Sequence, residues 1–267
     1  MAVMAEESQL HVGDWLDLAR TLVPGSVDFV YADPPFNTGV RKRTPPRASS
    51  AGRTITAAYH DAWPSNAEYV GWVRARVVAT LPALRPTGVI ALHCDQRASH
   101  VLRVMLDQVL GEDRFVNHLI WSYGLGGSSP RRFARKHDDI LVYAINPEKY
   151  YFRAPRIPAT SRRMAGQFKK ATDVLDIPAL NNMAAERTGY PTQKPLALLE
   201  LLIGAFCPPG GTVLDPCCGS GTTLVAAVAL GCRAIGFDLG DAAIKVAASR
   251  LDPDTAVKKP RGASPRG

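Results

Sequence analysis

The sequence predicts an α/β fold built on a mostly parallel, twisted sheet with helices on both faces. Three observations carry this reading. Apolar stretches such as "VDFVYA", "GVIALHC" and "RAIGFD" are near-continuous, as strands buried on both faces are. Between them lie longer stretches with apolar residues at helical spacing. Gly, Pro, Asn and Asp mark the junctions, and strand–helix alternation of this kind implies parallel strands joined by crossover helices.

Taken in order, "QLHV" is a strand ending at Gly13-Asp14, "WLDLARTLV" a helix, and "VDFVYA" a strand ending at Asp33. Residues 40–58 are rich in Pro, Ser, Gly and Arg and read as a loop. "NAEYVGWVRARVVATLPAL" is helical, with Ser65 or Asn66 as its cap. "GVIALHC" is a strand and "RASHVLRVMLDQVL" a helix. Two strands, 115–121 and 139–145, then follow without a helix between them, which predicts an antiparallel hairpin at one edge of the sheet. After an irregular basic stretch come "PLALLELLIGAF" (helix), "TVLDPC" (strand), "TTLVAAVALG" (helix), "RAIGFD" (strand) and "AAIKVAASRL" (helix). No internal repeat is visible.

A chain of 267 residues can bury a full core as one large domain or a domain with an insertion. The first residues lack the basic flank and apolar segment of a signal peptide, and no apolar run reaches the roughly 18 residues of a membrane span. Cysteines 94, 207, 217, 218 and 232 form no CxxC pair, which suits a reducing compartment. His93, His100, His118 and His137 are scattered without metal-ligand spacing and read as structural or surface-contact residues. The expectation is a soluble cytoplasmic protein with no membrane segment and no metal.

Charge is unevenly placed. Residues 40–58, 131–136 and 153–170 hold five, four and six bases and no acid. The formal net charge is +8, so the remaining residues, with 17 bases against 24 acids, form an acidic body carrying basic loops. Three such internal clusters point to a surface that contacts phosphates. Residues 252–267 read as a basic flexible tail.

Two motifs carry chemistry. "ADPPFNTG" (32–39) puts an acid, two prolines and an aromatic ring at the tip of a buried-looking strand. "VLDPCCGSGTTLVAA" (213–227) runs a strand into Asp215, a turn with Gly219 and Gly221, and a helix from about Thr222. Such a turn lets a ligand approach the backbone, and the helix start offers unpaired N–H groups. The next strand ends in Asp238, an acid placed to accept hydrogen bonds from ribose hydroxyls. No P-loop lysine or dinucleotide spacing is present, so an adenosine-type cofactor without a phosphate chain fits best.

These motifs resemble those of the β group of DNA amino-methyltransferases, with the catalytic motif ahead of the cofactor motif. "HVGDWLDLARTL", "HCDQRASHVLRVMLDQVLG", "IWSYGLGGSSPRRFARKHDDILVYA" and "RTGYPTQKPLALLELLI" extend the likeness from about residue 9 to 251. The resemblance implies a Rossmann-like methyltransferase fold in circularly permuted order, with 9–251 as one catalytic domain. It further implies S-adenosylmethionine as cofactor, double-stranded DNA as substrate and room for a homodimer. Asp33 and the carbonyl of Pro34 would accept hydrogen bonds from an exocyclic amine, Pro35 would stiffen the turn, and Phe36 would stack on the flipped base. Asp14, Asp33, Thr192, Gln193, Lys194, Asp215, Pro216, Gly219, Gly221, Thr222, Thr223 and Asp238 would surround the cofactor. For Asp14 the competing reading is a helix cap; for Thr192–Pro195 it is capping of the following helix. Cys217 stands where many relatives carry an aromatic residue, so it and Cys218 read as packing residues.

Target recognition would fall to residues 151–181 with loops 40–58 and 122–136. The expected phosphate contacts are Arg41, Lys42, Arg43, Arg47, Arg53, Arg131, Arg132, Arg135, Lys136, Arg162 and Arg163. Aspartate at position 33 is typical of adenine enzymes, serine of many cytosine-N4 enzymes, so the expected product is N6-methyladenine with N4-methylcytosine as alternative. RNA or protein-glutamine methylation is more remote, since protein-glutamine relatives carry Asn where Asp33 stands. A DNA-binding module without activity would explain the basic loops but not the paired motifs.

Overall fold

Eight strands form one sheet, in the order β1-β12-β11-β2-β5-β7-β6-β10. In chain order they are β1 (Gln9–Val12), β2 (Val27–Ala32), β5 (Leu84–Cys94), β6 (Phe115–Ser122), β7 (His137–Ala144), β10 (Val174–Asp176), β11 (Thr212–Asp215) and β12 (Arg233–Asp238). Two-residue strands β3 (Lys42–Arg43) and β4 (Ala58–Tyr59) pair antiparallel, as do β8 (Arg156–Pro158) and β9 (Phe168–Lys170). The computed structural model describes residues 8–39, 42–43, 58–59, 61–124, 128–159, 163, 166–181 and 184–252. Most of loop 40–58 and nearly all of the expected tail lie outside them.

The period-two alternation of strand side chains divides the core. On β2, Phe29 and Tyr31 face the layer formed by α4 (Leu196–Phe206), α5 (Thr222–Ala229) and α6 (Asp241–Leu251). Val30 and Ala32 face α1 (Trp15–Ala19), α2 (Asn66–Thr80) and α3 (Ser99–Leu110). All six residues of β2 are buried, which explains why its sequence is apolar throughout apart from Asp28. Asp28 itself accepts from Thr212 N–H at 2.8 Å, so the buried carboxylate is partnered.

The elements deviate from the sequence expectation at three places. The helix after Asp14 is only five residues long, ending before the turn at Pro24-Gly25. Helix α2 starts at the Ser65 cap, whose hydroxyl accepts from Glu68 N–H at 3.2 Å, and yields to a 3-10 turn at Pro82. The β6–β7 hairpin is not the edge of the sheet. Its open side would expose unpaired backbone, and β10 covers it in parallel, with Val174 opposite Ile120. The stretch 151–181 therefore lends a strand to the main sheet.

Only β7 runs against the other strands, so β12, β11, β2, β5 and β6 all finish at one end. The chain leaves β11 toward one side and β2 toward the other, which opens a crevice at that end. Among the described residues, no helix is long and apolar enough to cross a membrane, and no group of three or more His, Cys, Asp and Glu could hold a metal ion.

Gly221 closes the turn beneath this crevice. Its φ is 75°, and an added Cβ would lie 2.7 Å from Ala247 Cβ on α6. Gly221→Ala should therefore destabilise the protein by at least about 1–2 kcal/mol from the left-handed backbone alone. An unchanged urea midpoint at constant slope would contradict this packing.

Candidate active site

The crevice holds a cavity of about 1030 Å³ at the ends of β12, β11 and β2. Asp33, Pro34, Pro35, Phe36, Asp14, Thr192, Gln193, Lys194, Asp215, Pro216, Gly219, Thr222, Thr223 and Asp238 all line it. Two motifs 182 residues apart in sequence, counting from Asp33 to Asp215, thus share one space. Gly221 is the expected site residue that stands behind the wall instead, turning the chain into α5.

Asp33 ends β2 one residue beyond the ladder, on the side of Tyr31. Its Oδ2 accepts from Lys194 Nζ at 2.5 Å, and both side chains are largely shielded. The same ammonium lies 5.2 Å from the Phe36 ring centre, a cation–π arrangement. A buried carboxylate needs such a partner. Strain brackets the pair: Asn37 has φ 55° and Thr192 φ 62°, a conformation strongly disfavoured for a β-branched residue. Tertiary bonds hold Asn37 there, since its Oδ1 accepts from Trp63 N–H at 2.9 Å. Buried Asp61 accepts from both the Thr38 hydroxyl and, at 3.2 Å, the Thr38 N–H.

The glycine turn is fixed by the neighbouring strand. Asp238 Oδ2 accepts from Gly219 N–H at 2.9 Å and Oδ1 from Gly240 N–H at 2.8 Å. Burial nevertheless raises the Asp238 carboxyl, and the two backbone bonds only partly offset it. Tyr190 lies against Gly219, where a Cβ would come within 3.1 Å of the ring. Asp215 is buried, accepting from Thr223 Oγ1 at 2.5 Å and Cys217 N–H at 3.0 Å. Burial pushes its carboxyl up to about 7, and the negative charges of Asp33 and Asp238 add to the rise. Burial also keeps the Cys217 and Cys218 thiols protonated, which fits packing residues.

Asp14 stands at the start of α1. It caps α1 through Leu16 N–H at 2.8 Å and lines the cavity. It also holds Arg76 at 2.7 and 2.8 Å, and Arg76 lies 3.7 Å over the Trp72 ring. Gln193 is spent on local structure: it accepts from Thr188 N–H and Oγ1 and donates to Glu186 O at 2.7 Å. The cap of α4 comes from Glu186, whose Oε2 accepts from Leu196 N–H at 3.1 Å, not from Thr192 or Gln193.

Sequence reasoning missed a second group. His93 is fully buried between Tyr31, Phe36 and Trp121, its ring 5.6 Å from that of Phe36. Tyr31 Oη lies 2.6 Å from His93 Nδ1, and His93 Nε2 lies 3.3 Å from Asp138 Oδ2. Burial keeps the Tyr31 hydroxyl protonated, so it donates to Nδ1 and leaves Nε2–H for Asp138. Burial works against the charge on Asp138, yet its bond with His93, the Lys194 charge and the Tyr123 hydroxyl hold its carboxyl below the usual range. Alternation along "GVIALHC" puts His93 on one face with Val89 and Ala91, and the pairing of β2 with β5 makes that the Tyr31 face; nothing local marked Asp138.

Of the expected phosphate contacts, Arg131, Arg132, Arg135 and Arg163 are exposed and Lys136 is half-buried. Lys42 and Arg43 are described by backbone alone, and Arg41, Arg47, Arg53 and Arg162 lie outside the described residues.

Several known proteins are similar to this chain. The family model for DNA methylases, N6_N4_Mtase, matches residues 27–249. The type II methyltransferase M.HpaI of Haemophilus parainfluenzae is 28% identical over 239 residues, covering 88% of this chain and 71% of its own. The type II methyltransferase M.ScaI of Streptomyces caespitosus is 25% identical, covering 92% of this chain and 81% of its own. The DNA adenine methyltransferase YhdJ of Escherichia coli K12 is also 25% identical, over 90% and 81%. Among solved structures, the cytosine-N4-specific PvuII DNA methyltransferase superposes with a TM-score of 0.69 at 16% identity, over 94% of this chain and 88% of that one. The complex of M1.HpyAVI with S-adenosylmethionine gives 0.62 at 21%, over 91% and 98%. The two superpositions establish the Rossmann-like fold.

The raised Asp215 carboxyl has a consequence for stability. Folding favours its protonated form, so its contribution is fully present below about pH 4 and is lost as pH rises through about 7. In ligand-free protein, Asp215→Asn should therefore gain stability relative to wild type between pH 4 and 8, by up to about 4 kcal/mol. Parallel stability curves for the two proteins across that range would refute it.

Proposed function

The chain belongs to the N6-adenine and N4-cytosine DNA methylase family, and on that premise we propose that it methylates the exocyclic amine of a flipped base within a specific sequence of duplex DNA. S-adenosylmethionine is its cofactor. The observation that carries the site assignment is the shared cavity. Asp33 stands at the end of β2, next to β11 and β12, whose ends carry the cofactor motif.

The residues present fit that cofactor. Six acids, among them Asp33, Asp138 and Asp238, line the cavity against two bases, Arg76 and Lys194, a balance suited to a sulfonium and an ammonium. The turn at Gly219, closed by Tyr190, admits a ligand only where no side chain projects. S-adenosylmethionine supplies a methyl group made electrophilic by the sulfonium charge. An exocyclic amine is a poor nucleophile because its lone pair is delocalised into the ring. Asp33 accepts one amine hydrogen and the Pro34 carbonyl the other, which favours the pyramidal geometry that frees the lone pair. Lys194 fixes the Asp33 carboxylate in its rotamer. Phe36, backed by His93, offers a face for the base. Asp238 accepts from the ribose hydroxyls.

Adenine is the preferred target because position 33 is an aspartate, and the name of the relative YhdJ points the same way. Cytosine N4 is the alternative, since the same two acceptors serve either amine. The type II relatives support a place in restriction–modification, and a DNA substrate suits the cytoplasm.

Asp33→Asn keeps the shape and removes the charge. It should lower turnover by on the order of 100-fold or more while the S-adenosylmethionine affinity stays within a few-fold. Methyl transfer to DNA, followed with labelled cofactor, checks this, and near-normal turnover would remove Asp33 from the mechanism. Asp238→Ala should weaken cofactor binding by about 1–3 kcal/mol, measurable by calorimetry. Nucleosides from the methylated DNA should contain N6-methyladenine; N4-methylcytosine alone would reverse the choice of base.

A further inference from the structure

The strand hairpin beside the cavity carries an unusual side chain. Phe133 is 98% exposed, the most exposed large apolar residue among those described. One exposed apolar residue is ordinary on a protein surface. Its placement and its neighbours are what single this one out.

Strand β6 finishes at the same end of the sheet as β2, so the connection from β6 to β7 leaves at the end where Asp33 stands. Both feet of that connection line the cavity, Tyr123 on one side and Asp138 on the other. Tyr123 N–H donates to Lys136 O at 3.0 Å, which closes the neck. Beyond it, Ser129 bridges to Arg132, and Arg131 N–H donates to Ser129 Oγ at 3.4 Å. The aromatic ring is therefore presented from a pinned turn, five residues before the cavity-lining Asp138. Arg131, Arg132 and Arg135 surround it, all exposed.

We propose that Phe133 is the wedge that enters the DNA stack when the target base swings into the cavity. The inference rests on the DNA-methylating reading above. Extruding a base leaves a gap between its neighbours, and the lost stacking opposes the motion. An aromatic ring in the gap restores stacking and is itself removed from water. The arginines on either side hold the flanking phosphates and set the ring's position along the groove. Such a ring gains nothing in the free protein, where it is almost wholly in water, and gains its contacts only on a duplex being opened. Phe36 and Phe133 then divide the work: one receives the base, the other fills the place it left.

The test compares two synthetic duplexes carrying the sequence that the wild-type enzyme methylates. In one the target base is paired; in the other it faces an abasic site and is already unstacked. Phe133→Ala should lower kcat/KM on the paired duplex at least tenfold and on the abasic duplex less than twofold. Phe133→Trp should retain activity on both within a few-fold, and S-adenosylmethionine affinity should be unchanged in either variant. Arg132→Ala, which removes a phosphate contact only, should raise KM on both duplexes alike. Wild-type rates for Phe133→Ala on the paired duplex would overturn the wedge, as would an equal loss on both. A shift of Phe133→Ala from dimer to monomer in solution, with unchanged kinetics, would assign the ring to a second copy of the chain and overturn it too. A wild-type enzyme that methylates no DNA would instead remove the reading on which the proposal stands.

Discussion

Four neighbouring parallel strands, β1, β12, β11 and β2, run out into acids at the same end of the sheet: Asp14, Asp238, Asp215 and Asp33. Like charges gathered in one partly buried cavity repel each other and resent the loss of water. Every other feature of the site can be read as an answer to that. Asp14 is held by Arg76, Asp33 by Lys194 and Asp238 by two backbone N–H groups. Asp215, with only a hydroxyl and one N–H, responds by holding its proton up to about pH 7. A cationic ligand is what such a lining lacks, which is the electrostatic case for a sulfonium cofactor.

The cations that answer these acids come from far along the chain. Lys194 is 161 residues from Asp33, and Arg76 is 62 from Asp14. The stretch that delivers Lys194 is built for the purpose: Gln193 ties it back to Thr188 and Glu186, and Thr192 takes a left-handed conformation to turn it inward. Asn37 makes the matching turn on the other side of the ion pair. Strain of this kind persists where surrounding bonds over-determine the backbone. Here those bonds come from Trp63 and Asp61.

Behind Asp33 lies an inner layer of Tyr31, His93 and Asp138, joined by hydrogen bonds and backed by Trp121. All four belong to the face of the sheet that α4 to α6 cover. The layer gives Phe36 a firm back wall and brings a further carboxylate, Asp138, to the cavity. It also ties the Asp33 end of β2 to the foot of the β6–β7 connection, so the outer loop and the cavity share one framework.

The sequence by itself determined the strand and helix order, the two motifs and the residues of the glycine turn. These rest on local signals: continuous apolar strands, glycines where the turn needs them and acids at strand ends. Three things were decided only by the tertiary structure. Lys194 proved to be the partner of Asp33, because ion pairing follows proximity in space and leaves no mark on sequence spacing. His93, scattered among other histidines in sequence, became central because strands β2 and β5 pair in register and their alternation turns both side chains to one face. The hairpin lost its place at the sheet edge because a three-residue strand, too short to stand out from an irregular stretch, satisfied its open backbone. Local chemistry is written in the order of residues, whereas the neutralising of buried charge and the pairing of edges depend on which distant segments the fold brings together.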